Sequence, residues 1–386
     1  MFLFELAVIL TAAQAAGTLS RKLSQPSVLG QIIAGIIIGP SFLSVVDNTE
    51  LISEMAEIGV ILLMFIAGLE TNVNELKKSG KSSTAAAIGG VFLPFFGGGI
   101  AAYCFGLGFI ESVFIGTILT ATSVSISVQT LLEIGKLKSC EGITILGAAV
   151  IDDILGIIAL TLVTGYAVGG SNILLLLVKI IVFFGLFLMF GKKLIQKISS
   201  SVVKTRSKEG LFTTAIIIIF ITAFAAEQMG VAAIIGAYIV GIAFGATQYR
   251  RQISEKVQVM AYSLFVPIFF ISIGVKAELS HFNASLGFAA VLTFVAILTK
   301  IIGCGIGARI SGLDLQKSWR IGIGMISRGE VALIVASLGQ KMGIINESVF
   351  CIIVVMVIFT SLITPVLLKW SFKDEVFNQQ AGDFTA

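Results

Sequence analysis

The chain has 386 residues, of which 56% are hydrophobic and only 12% are charged, and its formal net charge is +4. Soluble globular domains usually carry about 25% charged residues, so this composition excludes a soluble protein and indicates a chain embedded in a lipid bilayer. The four cysteines lack CxxC or CxxH spacing, which argues against a disulfide framework and against a zinc site.

Thirteen apolar segments have about the length that a membrane-spanning helix needs, which is roughly 20 residues. The fold class predicted from them is an all-α polytopic membrane protein. The predicted spans are residues 2–20, 26–44, 53–70, 84–105, 112–133, 142–166, 172–191, 211–228, 230–246, 257–275, 284–308, 318–340 and 347–369. Because only a short tail follows the last span, residues 1–386 are predicted to form one transmembrane domain without a soluble regulatory domain.

The basic residues indicate the orientation of these spans. Of the 26 lysines and arginines, 21 fall in alternate connections, beginning with Arg21 and Lys22 after the first span. Cytoplasmic loops hold an excess of basic residues, so these connections are predicted to lie inside the cell. The N-terminus is therefore predicted to lie outside and the C-terminus inside.

Two adjacent carboxylates, Asp152 and Asp153, stand near the middle of the sixth span, where no other residue is charged. Ionisable groups at this depth are costly and usually mark function. Adjacent helical residues point about 100° apart, so the two side chains can have different partners. Two ionised carboxylates this close repel each other in low dielectric, and one of them could exchange a proton for a cation. The alternative is that both are structural hydrogen-bonding groups.

Lys300 is the matching positive charge in the eleventh span. It precedes Arg309 by nine residues, which places it about 13 Å from the cytoplasmic end at 1.5 Å per residue. One interpretation is that its side chain extends to the interface. The other is an ion pair with one of the two aspartates, in which the lysine could also carry a transported proton.

Two spans contain residues that weaken a helix at mid-membrane depth. The fifth span reads TATSVSIS at residues 120–127, and such hydroxyl side chains compete for backbone hydrogen bonds. The twelfth reads GIGMISRGE at residues 322–330, with three glycines around Arg328. Both are predicted to be interrupted helices. The alternative is that these small residues only permit close packing, as we interpret Gly303 and Gly307 in GCGIG.

The interrupted spans occupy matching positions in the chain, since the fifth and the twelfth are seven spans apart. Successive spans cross the membrane in opposite directions, so two segments that are an odd number of spans apart have inverted topology. Spans 2–6 and 9–13 are therefore predicted to form two inverted five-helix repeats, whose crossed discontinuous helices meet beside the ionisable residues. Carbonyl and hydroxyl oxygens at such a crossing suit a small hard cation.

Taken together, these motifs resemble the bacterial monovalent cation:proton antiporters of the NapA, GerN and Kef group, which is cation:proton antiporter family two. The motifs are AVIDDILG, TATSVSIS, ILTKIIG, ISRGEVALIV and QPSVLGQIIAGIIIGP. The resemblance covers essentially the whole chain. It implies an NhaA-like fold in a multi-pass protein of the bacterial plasma membrane.

The resemblance also implies an elevator mechanism in a homodimer. A transport core of residues 84–166 and 284–369 would slide against a dimerisation part of residues 1–70 and 172–275. The implied partners are monovalent cations, protons and the lipid bilayer, without nucleic acid and without a cofactor.

Residue roles follow from the same resemblance. Asp153 would bind Na⁺, and Asp152 would pair with Lys300 and help to control protonation. In the first broken helix, the cation-coordinating or crossing residues would be Thr122, Ser123 and Ser125. In the second, Arg328 and Glu330 would form a structural ion pair.

The leading functional hypothesis is exchange of protons for Na⁺, with K⁺ and Li⁺ as further candidates, and the paired aspartates resemble those of electrogenic members. One alternative is a K⁺/H⁺ antiporter of the Kef-like branch. Kef systems, however, carry glutamine before the aspartate and also have a nucleotide-binding domain, and this sequence is predicted to have neither feature. A cation channel is another, but it needs polar residues along several spans. An enzyme is not predicted, because membrane aspartyl proteases need aspartates on different helices.

Overall fold

The computed structural model describes residues 2–47, 49–168, 173–187, 191, 195–198, 200, 210–276 and 286–373. Within these ranges the regular elements are helices, and no strand is present. The helices are α1 (Phe2–Lys22), α2 (Ser27–Ile38), α3 (Glu50–Glu70), α4 (Val73–Cys104), α5 (Phe109–Thr120), α6 (Val124–Glu133), α7 (Cys140–Val168), α8 (Ile173–Leu186), α9 (Gly210–Gln228), α10 (Ala233–Gly245), α11 (Arg250–Met260), α12 (Val266–Val275), α13 (Leu286–Ile310), α14 (Leu315–Gly324), α15 (Glu330–Lys341) and α16 (Glu347–Ser371).

The predicted membrane spans correspond to helices. Nine helical segments in the described part of the chain are long and apolar enough to cross a membrane. The other four predicted spans coincide with shorter apolar helices, at Ser27–Ile38, Leu177–Leu186, Ala233–Gly245 and Val331–Gln340. The prediction of an all-α polytopic membrane protein is confirmed, while thirteen crossings with inverted repeats stay a prediction.

Two helix boundaries differ from the predicted spans. The second span was expected to run to residue 44, but α2 ends at Ile38 because Pro40 disfavours helical geometry at the residue before it, Gly39. The fourth span was expected to begin at residue 84, but α4 begins at Val73 and has 32 residues. Lysine is a good helix former and the lysines before Thr84 are exposed, so this basic stretch is helical rather than a loop.

The chain divides into two compact units. The first consists of Met1–Asn48, Ser79–Val163 and Phe270–Ala386, and the second of Thr49–Lys78 and Thr164–Phe269. Both aspartates, Lys300 and the two spans with predicted interruptions belong to the first unit, which therefore contains the whole candidate site.

The first unit has an apolar core that holds the broken spans in place. Buried side chains of α5, α13, α15 and α16 pack together in it. Phe114, Leu119, Leu292, Ile353 and Met356 are fully buried members of this core. Because interiors pack at crystal-like density, this core fixes the positions of the helix ends beside it.

Helices α4 and α13 of the first unit touch through their backbones. A Cβ atom added at Gly89 would lie 2.0 Å from the carbonyl oxygen of Gly303, and one added at Gly307 would lie 2.0 Å from that of Ala85. The packing interpretation of Gly303 and Gly307 is therefore confirmed. One residue along, a Cβ at Gly90 would lie 2.3 Å from Cys304 Sγ, so this glycine leaves room for the thiol.

The second unit is built around close packing of α3 and α10. A Cβ added at Gly68 would lie 2.2 Å from the carbonyl oxygen of Tyr238, and one at Gly241 would lie 2.3 Å from that of Phe65. The rings of Phe65 and Phe244 meet edge to face, with centroids 5.8 Å apart. Small residues on both helices thus permit the close approach that is typical of membrane helices.

Candidate functional site

Both predicted interruptions are present in the structure. The fifth span is two helices, α5 ending at Thr120 and α6 beginning at Val124, with extended backbone at Ala121 and Ser123 between them. The twelfth span is α14, ending at Gly324, and α15, which begins at Glu330 after the non-helical residue Gly329. The serine and threonine hydroxyls of the first segment and the glycines of the second therefore mark true breaks.

The second broken span starts from a capped helix end outside the apolar segments. The Asp314 carboxylate accepts a hydrogen bond from the backbone N–H of Lys317 at 2.8 Å. This backbone hydrogen bond lowers the pKa of Asp314 below its usual value. A carboxylate at this position also interacts favourably with the positive end of the helix dipole, so it fixes the start of α14.

The two breaks are hydrogen-bonded to each other. The backbone N–H of Ser123 donates to the carbonyl oxygen of Ser327 at 2.8 Å, and the Ser327 hydroxyl donates to the carbonyl oxygen of Ser123 at 2.6 Å. The Ser127 hydroxyl donates to the carbonyl oxygen of Gly324 at 2.6 Å. Non-helical backbone in a membrane needs such internal partners, so each break satisfies the other.

Gly329 leaves the space in which the breaks meet. A Cβ added there would lie 2.6 Å from both the Cβ and the Oγ of Ser123. Gly329→Ala is expected to lower the transport rate about tenfold or more and stability by about 1 to 3 kcal/mol, because an overpacked contact forces the backbone apart. Transport by reconstituted protein and thermal unfolding in detergent measure the two effects.

Gly108→Ala is the matched control for this substitution. Gly108 precedes α5 as Gly329 precedes α15, but a Cβ added at Gly108 meets no atom within 4 Å. It should transport as the unchanged protein does. Equal behaviour of the two alanine variants would show that the crossing does not depend on contact between Gly329 and Ser123.

Asp152 and Lys300 form a buried ion pair beside the crossing. The Lys300 ammonium donates to Asp152 Oδ1 at 2.8 Å, and the two side chains are 0% and 1% exposed. The Thr122 hydroxyl donates to the other oxygen, Oδ2, at 2.7 Å. This is the pairing that the sequence resemblance implies, and it gives both oxygens of Asp152 a donor.

Asp153 has a different environment from its neighbour. Asp152 is buried, whereas Asp153 is partly exposed, in accord with the angle of about 100° between adjacent helical side chains. Ala149, one turn earlier on the same face of α7, is buried at 4% exposure. The pair of aspartates therefore provides one carboxylate held by the protein and one that has an accessible surface.

Arg328 is a second buried cation near the ion pair. It is 0% exposed and close enough to Asp152 and Lys300 to interact electrostatically with both. Its guanidinium donates to the carbonyl oxygens of Met325, Ile326 and Ala296, each at 3.4 Å. The side chain of Glu330 lies outside the described part of the structure, so the predicted Arg328–Glu330 pair stays a prediction.

The remaining hydroxyl residues of the first break are buried. Thr122 and Ser123 are 4% and 1% exposed, and Ser125 is 0% exposed. The Oγ of Ser125 has no hydrogen-bond partner. A buried polar atom of this kind needs an explanation in a native structure, and a bound ion is one.

Some polar contacts of the first unit were not predicted from the sequence. Arg320 is buried in α14, where it donates to the Glu141 carboxylate at 3.0 Å and lies 4.2 Å from the centroid of the Phe372 ring. The 21 basic residues that were predicted to lie inside the cell include Arg320, at the start of the twelfth span. Ser327 was not singled out either. The two residues of each of these contacts are far apart in the chain, so the sequence does not show that they meet. Only the residues that weaken the helices indicated that this region is unusual.

Many secondary transporters have two interrupted helices that meet beside buried ionisable residues, as they do here. The family description "Sodium/hydrogen exchanger, transmembrane" matches residues 7–373, and the chain belongs to this family. The prediction of a multi-pass bacterial monovalent cation:proton antiporter in the plasma membrane is thus confirmed at the family level.

Similar proteins extend over nearly the whole chain. It is 45% identical over 372 residues to the Na⁺/H⁺–K⁺ antiporter GerN of Bacillus cereus, with 96% of each chain covered. It is 46% identical over 373 residues to the probable Na⁺/H⁺ antiporter GerT of the same species, with 96% of this chain and 100% of GerT covered. The solved structure of the sodium proton antiporter MjNhaP1 from Methanocaldococcus jannaschii has a TM-score of 0.71 over 97% of both chains at 16% identity, which shows similarity of fold.

Proposed function

We propose that this protein exchanges protons for Na⁺ across the bacterial plasma membrane. The observation that carries the proposal is the unequal pair of aspartates: Asp152 is buried against Lys300, whereas Asp153 is partly exposed beside it. Asp152 already has a lysine partner. Asp153 has exposed surface, so its carboxylate is the one at which a proton or Na⁺ can bind.

The charges of the site favour exchange at Asp153. When Asp152 and Asp153 are ionised, Lys300 is protonated and Arg328 is balanced by its proposed partner Glu330, the charges of the site sum to −1. A proton or one Na⁺ at Asp153 brings this sum to zero. Both charges together would leave an uncompensated excess in a low-dielectric region, which is costly. Competition between the two ions then couples their transport.

Oxygen ligands for Na⁺ are available at the first break. In the proposed site Asp153 supplies carboxylate oxygen, and Thr122, Ser123 and Ser125 supply hydroxyl or carbonyl oxygen. Small hard cations prefer oxygen ligands of these kinds. The unpartnered Oγ of Ser125 supports this assignment most directly.

The transport cycle that we propose is an elevator movement in a homodimer. Residues 84–166 and 284–369 form the moving core, and residues 1–70 and 172–275 form the dimerisation part. Thirteen crossings, two inverted repeats and a cytoplasmic C-terminus complete the proposed topology. The sequence motifs and the distribution of basic residues support it, and the mutual hydrogen bonds of the two breaks favour a core that moves as one body.

We also propose that transport is electrogenic. If Lys300 gives up its proton when Na⁺ binds and regains it when Na⁺ leaves, two protons move against one cation. The direct contact between Lys300 and Asp152 supports this step, since loss of the lysine proton removes the partner of Asp152 at the same moment. The paired aspartates, which resemble those of electrogenic antiporters, support it as well.

K⁺/H⁺ exchange is the second candidate function. The printed name of the relative GerN includes K⁺ as well as Na⁺. The same oxygen ligands can hold K⁺ if the cavity is slightly wider. A channel is disfavoured because the buried ionisable side chains of the site are concentrated at one place beside the crossing.

Reconstituted transport tests the proposal. Proteoliposomes should move protons in response to gradients of Na⁺, and comparison with K⁺ and Li⁺ at several pH values gives the selectivity. If the exchange is electrogenic, an imposed membrane voltage should accelerate it at one sign of the voltage and slow it at the other. Absence of proton movement with all three cations would overturn the proposed function.

A further inference from the structure

A stripe of polar side chains runs along one face of α6, from the first break to the end of the helix. Ser125, Gln129 and Glu133 are spaced four residues apart, so they lie one above another, about 6 Å apart along the axis. Ser125 follows the break that contains Thr122, whose hydroxyl contacts Asp152. The stripe therefore leads from the candidate site to the end of α6.

Two members of this α6 stripe have buried oxygen atoms without a hydrogen-bond partner. They are Oγ of Ser125 and Oε1 of Gln129, in side chains that are 0% and 8% exposed. The amide nitrogen of Gln129 donates to Glu133 Oε1 at 2.8 Å, so its unpartnered oxygen lies beside that carboxylate. Buried oxygens that lack donors in an otherwise satisfied region are suited to a cation.

Glu133 is exposed at the end of the stripe and contacts the first residue of α2. The backbone N–H of Ser27 donates to Glu133 Oε2 at 2.7 Å, and the Ser27 hydroxyl donates to Oε1. No side chain of the segment before α2 caps this helix. The Glu133 carboxylate therefore interacts with the positive end of the α2 dipole. A cation that binds Glu133 would compete with this interaction.

We propose that the α6 stripe is a second binding site for the transported monovalent cation, in which Glu133 recruits the ion and Gln129 and Ser125 pass it toward Asp153. The proposal rests on the proposed function and on the predicted topology, which puts the end of α6 in the cytoplasm. Ser27 and the cation compete for Glu133, so the contact with α2 closes this route and cation binding opens it.

Membrane vesicles that expose the cytoplasmic face test the proposal with added NaCl as the probe. Glu133→Gln should raise the Na⁺ concentration for half-maximal proton movement about 3- to 10-fold, with the maximal rate within about twofold, because recruitment but not exchange is impaired. Gln129→Met should raise the same concentration, since it removes the unpartnered oxygen while preserving side-chain volume. Ser27→Ala should lower it, because the cation then competes with one hydrogen-bond donor fewer at Glu133.

The control is Glu255→Gln, which removes a carboxylate that is 66% exposed and paired with Arg251 in α11. It should leave the half-maximal Na⁺ concentration unchanged. The proposal fails if Glu133→Gln and Gln129→Met also leave the half-maximal Na⁺ concentration unchanged. It fails as well if Glu133→Gln and Ser27→Ala both lower thermal stability and neither changes that concentration, because Glu133 is then a structural cap. Absence of Na⁺-coupled proton movement in the unchanged protein would instead refute the proposed function.

Discussion

Asp153→Asn is expected to reduce Na⁺/H⁺ exchange by about 100-fold or more while the protein stays folded, because asparagine can neither take up the proton nor carry the charge that holds Na⁺. Asp153 is partly exposed, whereas Asp152 is buried against Lys300, so this substitution should cost less stability than substitution of Asp152. Proton movement driven by a Na⁺ gradient in proteoliposomes measures the loss, and thermal unfolding in detergent shows that the fold is retained.

Asp47→Asn provides the control, since Asp47 is exposed and lies outside the site. It removes the same charge and should leave exchange unchanged. Retention of normal exchange by Asp153→Asn would show that another group binds the ions.

Lys300→Met is expected to destabilise the protein by about 3 to 5 kcal/mol, because it leaves the Asp152 carboxylate buried without its cation. Asp152→Asn in the same chain should restore much of the loss, since the amide has no charge to compensate and can still accept the Thr122 hydrogen bond. Thermal unfolding of the two single variants and the double variant in one detergent gives the coupling between the side chains. Transport currents from the same variants show whether Lys300 carries a proton.

Lys179→Met is the matched control, because Lys179 is an exposed lysine in α8. This substitution should have little effect on stability. If Lys300→Met were as stable as the Lys179→Met variant, or if Asp152→Asn brought no recovery, the buried pair would not stabilise the fold as its geometry indicates.

Part of the central ion pair could be predicted from the sequence for a simple physical reason. Few ionisable residues occur deep within spans, and a buried charge needs an opposite charge, so an ion pair between Lys300 and one of the two aspartates was one expectation. That the partner is Asp152, 148 residues away, was implied only by the family resemblance. The breaks were predictable on similar grounds. Hydroxyl residues and glycines weaken a helix wherever they cluster, and the structure interrupts both segments at those residues.

Other contacts could not be predicted, because they depend on how distant segments meet. Nothing in the sequence indicates that Ser327 donates to the carbonyl oxygen of Ser123, 204 residues away. Arg320 was counted with the cytoplasmic basic residues, but its charge is buried against Glu141. The rule for basic loops concerns average composition and does not detect a buried partner. Likewise, the orphaned oxygens of the α6 stripe become visible only when the neighbours of each side chain are known.

The most direct test of the account is the affinity for Na⁺ in the purified protein, measured by calorimetric titration at a series of pH values. Competition at Asp153 predicts that each Na⁺ bound releases protons, and that the apparent Kd rises as the pH falls, by about tenfold per unit for each proton released once the protonated form dominates. A Kd that does not change with pH, with Na⁺ binding that releases no protons, would contradict the claim that one carboxylate holds either ion in turn.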